Sequence, residues 1–71
     1  SKNYEGLVFI DSYNDIGSAK LITNKIRNLG LIFEENENKI NVFAGPFEKN
    51  DINLKIDFLI RNGYTNAQLY P

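Results

Sequence analysis

Few residues of this chain could do chemistry. It contains no Cys and no His, which excludes thiol nucleophiles, thiolate metal sites, zinc triads and a Ser-His pair. Glu34, Glu35 and Glu37 cluster around a predicted turn, whereas a glycoside hydrolase needs two carboxyl groups held roughly 5–10 Å apart across a cleft. Ser12 has no base to activate it. We therefore expect a protein that is not an enzyme and uses neither a metal nor another cofactor.

Aromatic rings and side-chain amides are the groups that remain for recognition. Apolar ring faces stack on the C–H faces of sugars, and Asn and Gln amides supply paired donors and acceptors for hydroxyl groups. Placed on one surface, such side chains would form a sugar-binding platform. The candidate glycan-binding residues are Phe9, Ser12, Asn41, Phe43, Gln68 and Tyr70.

The elements that position these side chains belong to one small domain. The chain has 71 residues, 42% hydrophobic and 24% charged, which is typical of a folded globular domain and not of disorder. No apolar run approaches the ~20 residues of a membrane span, and none resembles a signal peptide. The abrupt start at Ser1 favours a single domain, residues 1–71, cut from a longer protein whose anchor lies elsewhere.

An internal repeat organises the domain. Residues 8–13 (VFIDSY) align with residues 42–47 (VFAGPF) at an offset of 34, and Ile-Arg-Asn recurs at 26–28 and 60–62 with the same offset. A glycine follows each triplet, at Gly30 and Gly63. The two halves are therefore predicted to be the same supersecondary unit used twice.

Hydrophobic periodicity predicts the elements of each unit. Strands are expected over residues 7–11, 31–35, 39–44 and 65–70, with the third strand broken by Gly45-Pro46. Helices are expected from residue 16 to 29 and from 52 to 62, with Asn14 or Asp15 capping the first and glycines ending both. This order predicts an α+β, ferredoxin-like βαββαβ fold, with two helices on one face of a four-stranded antiparallel sheet.

Side-chain alternation predicts which residues line the other face. If the core takes Val8, Ile10, Leu31, Phe33, Ile40, Val42, Ala44, Ala67 and Leu69, the uncovered face takes Phe9, Ile32, Glu34, Asn41, Phe43, Asn66, Gln68 and Tyr70. Phe9 and Phe43 would then lie side by side and exposed. Such a pair indicates a ligand platform, a contact with a neighbouring domain or a dimer partner, or a strand register shifted by one residue.

At its strand–helix junctions the sequence resembles SPOR domains, the peptidoglycan-binding modules of bacterial cell-envelope and division proteins. Residues 42–47 resemble the family's apolar-x-Val-Gly-Pro-Phe signature, and residues 8–13 resemble its Val-Gln-x-Gly-Ser-Phe copy, so that Ser12 matches the family's serine. The similarity extends from about residue 4 to residue 70. Phe9, Asp11 and Phe43 stand where the family usually has Gln, Gly and Arg or another polar residue, which exchanges a polar readout for an apolar one.

The resemblance implies binding of peptidoglycan glycan strands stripped of their stem peptides, through the open face of the sheet. It also implies a location on the periplasmic or wall side of the bacterial envelope, without direct membrane contact by this domain. A protein-interaction or dimerisation module using Phe9 and Phe43 is the alternative. RNA-recognition domains share this topology and stack bases on the same strands, but a pI of about 5.2 and a face carrying Glu34 and no Arg disfavour nucleic acid.

Overall fold

The computed structural model describes residues 4–71, with side chains from residue 6 onward, so the predicted start of the domain at residues 1–3 lies outside the described residues. The elements in chain order are β1 (Tyr4–Tyr13), α1 (Ile16–Lys20), β2 (Leu31–Asn36), β3 (Lys39–Glu48), α2 (Ile52–Arg61) and β4 (Gln68–Tyr70). Short 3-10 segments, Leu21–Asn24 and Lys49–Asp51, follow α1 and precede α2. No helix within residues 4–71 is long and apolar enough to cross a membrane.

The sheet has the topology that the repeat predicted. Its strand order is β2-β3-β1-β4, and all three pairings are antiparallel. The central strands β1 and β3 are the two that carry the repeated sequence. This confirms the predicted α+β architecture, a four-stranded antiparallel sheet with two helices in a ferredoxin-like arrangement.

One face of the sheet packs against the helices and forms the core. Val8, Ile10 and Val42 from the central strands are fully buried, as is Leu59 of α2. The buried cluster also takes in Ala19 of α1, so both helices contribute to the same layer. The predicted inward parity of β1 and β3 is thus confirmed. One residue departs from the predicted core, because Leu69 remains 46% exposed.

The third strand is longer than predicted, because Gly45-Pro46 does not break it. Pro46 has no N–H to donate, but the register with β1 steps past it: Val8 is opposite Ala44 and Gly6 is opposite Phe47. The strand therefore continues to Glu48. The Gly45 N–H leaves the ladder and donates to the carbonyl of Gly30 at 3.1 Å.

The first helix is much shorter than predicted. It ends at Lys20, although the buried positions continue as far as Leu29. Its sequence is rich in poor helix formers, and the Thr23 hydroxyl donates to the carbonyl of Lys20 at 2.7 Å, which competes with regular helix propagation. The predicted cap is correct at the start, where the Asp15 carboxylate accepts the Ser18 N–H at 2.8 Å. Gly30 is not a helix cap; it precedes β2 with a φ of 68°.

The second helix ends where the sequence predicted, in a Schellman motif. Gly63 has a φ of 96°, a conformation that L side chains rarely adopt. The Tyr64 N–H reaches back to the carbonyl of Leu59 at 2.9 Å, and the Gly63 N–H to that of Ile60 at 3.0 Å. This turn lays Tyr64 against the core and directs the chain into β4.

Candidate functional site

The face of the sheet opposite the helices is the candidate site, and we call it the open face. Strand register identifies its members, since directly opposed residues of antiparallel strands point to the same side. Phe9 is opposite both Phe43 and Gln68, and Phe43 is opposite Ile32. The open face comprises Leu7, Phe9, Ser12, Ile32, Glu34, Asn36, Lys39, Asn41, Phe43, Gln68 and Tyr70.

Three aromatic rings from three strands meet at the centre of the open face, and we call them the aromatic cluster. Phe9 of β1 lies edge-on to Phe43 of β3, with ring centroids 5.7 Å apart and planes at 69°. Tyr70 of β4 extends across β1 to place its ring centroid 4.6 Å from that of Phe43. Tilted and edge-to-face geometries of this kind are favourable for aromatic pairs.

The members of the aromatic cluster differ in exposure, which corrects one prediction. Phe43 is only 3% exposed, because the Tyr70 ring and the Phe9 edge cover it. Phe43 therefore points to the predicted side of the sheet, but it is too buried to stack on a ligand. Its ring instead packs beneath the rings of Phe9 and Tyr70. Phe9 is half-buried and Tyr70 is 44% exposed, so these two rings carry the accessible aromatic surface.

A polar pair lies beside the aromatic cluster on the same two central strands. Ser12 and Asn41 are cross-strand partners, and the Ser12 hydroxyl donates to Asn41 Oδ1 at 2.5 Å. This bond uses the amide oxygen and leaves the Asn41 NH₂ group able to donate, while Ser12 Oγ keeps acceptor capacity. Asp11 holds the backbone beside this pair. Its Oδ1 accepts the Ser12 N–H at 2.8 Å and the Asn66 side-chain NH₂ at 3.2 Å.

Gln68 borders a shallow concavity at the β1–β4 edge of the open face. The concavity has a volume of about 370 Å³ and is lined by Phe9, Gln68, Leu69, Tyr70 and Pro71. Sequence reasoning placed Leu69 in the core and assigned no role to Pro71. The one sequence signal for this concavity was the short apolar and aromatic ending of β4. That signal does not indicate which face of the sheet each side chain of this edge strand lies on.

The charge of the open face is balanced. Glu34 lies opposite Asn41, and Lys39 is the one basic residue among the described members of the face. The Lys39 ammonium donates to Asn14 Oδ1 at 3.1 Å, at the polar end of the face. Among the side chains that the structure describes, from residue 6 onward, no three His, Cys, Asp or Glu residues are grouped so that they could hold a metal ion. What the arrangement offers chemically is ring stacking and neutral hydrogen bonding.

Two tyrosines with a raised pKa, Tyr13 and Tyr64, lie on the helix side of the sheet. Burial, with a smaller contribution from the Asp11 carboxylate, raises the pKa of Tyr13, and burial raises the pKa of Tyr64. Both side chains pack against the core cluster. Their neutral phenols belong to the packing of the domain and not to the open face.

All six predicted site residues lie on the open face, and the structure brings five of them together in two groups, with Gln68 next to the first group. Phe9, Phe43 and Tyr70 form the aromatic cluster, Ser12 and Asn41 form the polar pair, and Gln68 borders the concavity beside Phe9. No protein-family model, curated protein or solved structure matches the chain. The similarity to SPOR domains therefore rests on the motif residues alone and stays a prediction.

Proposed function

We propose that the open face binds glycan strands of peptidoglycan that lack stem peptides, and that this binding directs the parent protein to the bacterial cell wall or septum. The observation that supports it most is the pairing of accessible Phe9 and Tyr70 rings with the oriented Ser12–Asn41 pair. Rings suit the C–H faces of pyranoses, and the amide and hydroxyl suit sugar hydroxyl groups. The motif resemblance to SPOR domains supports the same ligand.

The balanced charge of the open face favours a carbohydrate over a nucleic acid. Phosphate contacts dominate the affinity for nucleic acids and require a basic surround. The described part of the open face offers Lys39 against Glu34. We propose that the domain binds no nucleic acid and contacts no membrane directly, and that it acts on the periplasmic or wall side of the envelope.

A pull-down on purified sacculi tests the proposal. The domain is incubated with intact sacculi and with sacculi treated with an amidase, which removes the stem peptides and leaves the glycan. We expect retention to increase after amidase treatment. Equal retention on both materials, or none on either, would contradict the proposal.

A matched pair of variants locates the surface involved. Phe9→Ala removes an accessible ring of the aromatic cluster, and we expect it to reduce retention on amidase-treated sacculi by about tenfold, taking the sugar–ring contact as comparable to the about 1–3 kcal/mol that an aromatic ring contributes when a nucleic-acid base stacks on it. Leu54→Ala is the control, because Leu54 is 68% exposed but lies on α2. Circular dichroism establishes that both variants fold. A folded Phe9→Ala protein with unchanged retention would place the site elsewhere.

A second candidate function, self-association or binding of an envelope protein, is favoured by Ile32. This side chain extends the apolar surface from Phe43 to the edge strand β2 and is 39% exposed. Light scattering coupled to size exclusion tests dimerisation directly. A dimer that Ile32→Asp dissociates, together with no retention on sacculi, would favour this function over glycan binding.

A further inference from the structure

The two edge strands of the sheet are protected differently against pairing with another strand. At one edge β4 has three residues, Gln68–Tyr70, and Pro71 follows it. At the other edge β2 has six residues, Leu31–Asn36, and no strand of the described chain lies on its outer side. Sheet edges are usually protected by shortness, Pro, bulges or charge. The one such device in β2 is the negative charge of Glu34 and Glu35, which repels an acidic strand and not a basic one.

The register of the hairpin identifies which main-chain groups of β2 are available at this edge. A two-residue turn joins β2 to β3, so Asn36 and Lys39 close the hairpin as a hydrogen-bonded pair. Hydrogen-bonded and non-hydrogen-bonded pairs alternate along an antiparallel ladder. The N–H and C=O groups that point away from β3 are therefore those of Leu31, Phe33 and Glu35. They match an extended peptide segment that runs alongside the whole strand.

An apolar pocket lies beside this edge on the helix side of the sheet. It has a volume of about 280 Å³ and is lined by Ile16, Phe33, Glu35 and Ile40. Ile16 is 48% exposed and Phe33 is half-buried, so apolar surface remains for a ligand to cover. The Lys20 ammonium lies 5.9 Å from the centroid of the Phe33 ring but does not line the pocket. Because alternate side chains of an added strand point to the helix side, one of them would enter this pocket.

An acidic pocket of about 350 Å³ adjoins the apolar pocket at the hairpin end and shares three residues with it. Its lining holds the carboxylates of Asp15, Glu35 and Glu37. The one cation in the lining, Lys39, already donates to Asn14 Oδ1 at 3.1 Å. Side chains two residues apart on a strand are separated by roughly 7 Å. A Lys or Arg two residues from the apolar side chain would therefore reach these carboxylates.

We infer that β2 binds an extended segment of a partner protein as a fifth strand, with a basic side chain in the acidic pocket and an apolar side chain in the apolar pocket. Running antiparallel to β2, as the other neighbours in this sheet do, the segment would read Lys or Arg, any residue, then an apolar residue. A second copy of β2 does not fit, because this strand has two glutamates and no basic residue. The inference goes beyond glycan binding and does not depend on it, since it uses the edge and the helix side of β2 and not the open face.

Selection from a library of short random peptides displayed on phage tests the inference. The library is selected on the immobilised domain, and the enriched peptides are synthesised with blocked termini. We expect them to share a basic residue two positions before an apolar residue. In nitrogen-15 correlation spectra they should shift the amide resonances of Leu31, Phe33 and Glu35. No enrichment, enriched peptides without this pattern, or shifts confined to other elements would overturn the inference.

Glu35→Pro and Glu35→Gln are a matched pair of variants for the same peptides. Both remove the carboxylate, but only proline removes an outward N–H, and edge strands accept proline where that N–H faces solvent. We expect Glu35→Gln to weaken binding severalfold and Glu35→Pro to weaken it about tenfold further, as the loss of one main-chain hydrogen bond would give.

N-methylation of the peptide at alternate residues tests the main-chain pairing on the native domain, so the test does not depend on the folding of Glu35→Pro. Methylation of one alternate set should weaken binding about tenfold or more, and methylation of the other set should have little effect. Equal binding of unmethylated peptides and both methylated sets would overturn the inference. A dimer in light scattering that Glu35→Pro dissociates would assign the edge to a second copy of the chain and would also overturn it.

Discussion

Phe9 and Phe43 occupy equivalent positions in the two halves of the molecule, yet they have different environments. They are separated by the repeat offset of 34 residues, and they are direct partners across β1 and β3. Phe43 is 3% exposed, whereas Phe9 is half-buried. The difference shows that two copies of a repeated sequence can form equivalent central strands and still expose their equivalent side chains to different extents.

The flanking strands produce this difference. Tyr70 extends from β4 over β1 and covers Phe43, with ring centroids 4.6 Å apart. On the other side β2 contributes Ile32, which is 39% exposed. Phe43 thus becomes a buried support, and Phe9 becomes an accessible ring that faces Gln68 and the concavity.

The largest expected effect is a difference between the two phenylalanines in how much their removal lowers the free energy of unfolding. Phe43→Ala removes a nearly fully buried ring, and we expect the free energy of unfolding to fall by about 3 kcal/mol. Phe9→Ala removes a half-buried ring and should lower it by about 1 kcal/mol. Urea unfolding followed by circular dichroism measures both values. Equal losses would show that the two rings are equivalent after all.

The next effect concerns the helix ends, where the halves also differ. Gly63→Ala places a side chain at a φ of 96°, with no heavy atom within 4 Å of the new Cβ, so any loss of stability comes from the backbone alone. We expect a loss of about 1–2 kcal/mol. Asn53→Ala, at an exposed position inside α2, is the control and should change stability by less than about 0.5 kcal/mol. If Gly63→Ala were as stable as the native chain, the positive φ of Gly63 in the Schellman motif would not contribute to the stability of the domain.

A smaller effect is expected at the polar pair. Ser12→Ala removes the donor to Asn41 Oδ1, and we expect stability to fall by about 1 kcal/mol or less, because the amide can turn to water. Retention on amidase-treated sacculi should fall severalfold, since the amide is no longer oriented. Ser18→Ala, a serine on α1 away from the open face, controls for a general effect of serine removal. Unchanged retention in Ser12→Ala would remove the polar pair from the binding surface.

The smallest effect is a pH dependence at the first helix. The backbone N–H of Ser18, followed by its hydroxyl, lowers the pKa of Asp15 below its ordinary value of 3.8. A lowered folded-state pKa means that the cap stabilises fully above 3.8 and loses this effect as pH falls through the folded-state value. The stability difference between the native chain and Asp15→Ala should therefore be larger at pH 7 than at pH 2. Asp15→Asn accepts the same bond without titrating and should show no such change; a constant difference for Asp15→Ala would contradict the role of the carboxylate.

Much of the architecture could be predicted from the sequence, because local patterns determine it. Alternation in the repeated strands gave the parity of Val8, Ile10 and Val42, and Gly63 marked the end of α2. The shortness of α1 was missed because apolar spacing persists to Leu29, while the residues between those positions favour turns. Burial of a segment does not require that it be helical.

The sequence predicted which residues lie on the open face, but it did not predict how exposed each of them is. Parity placed Phe9, Asn41 and Phe43 on the same side of the sheet, as observed. That Phe43 is covered depends on Tyr70, 27 positions further along the chain, crossing another strand to reach it. No spacing or propensity encodes such a contact, since it arises from strand order and from the length of one side chain.

The most direct test of glycan binding by the open face is a nitrogen-15 correlation titration of the domain with soluble glycan chains released from amidase-treated sacculi. We predict that backbone shifts concentrate on Phe9, Ser12, Asn41 and Gln68, with the exposed outer side of α2 around Leu54 unchanged. Shifts confined to α2, or no shifts at glycan concentrations that saturate a SPOR domain of established binding, would contradict glycan recognition by this face.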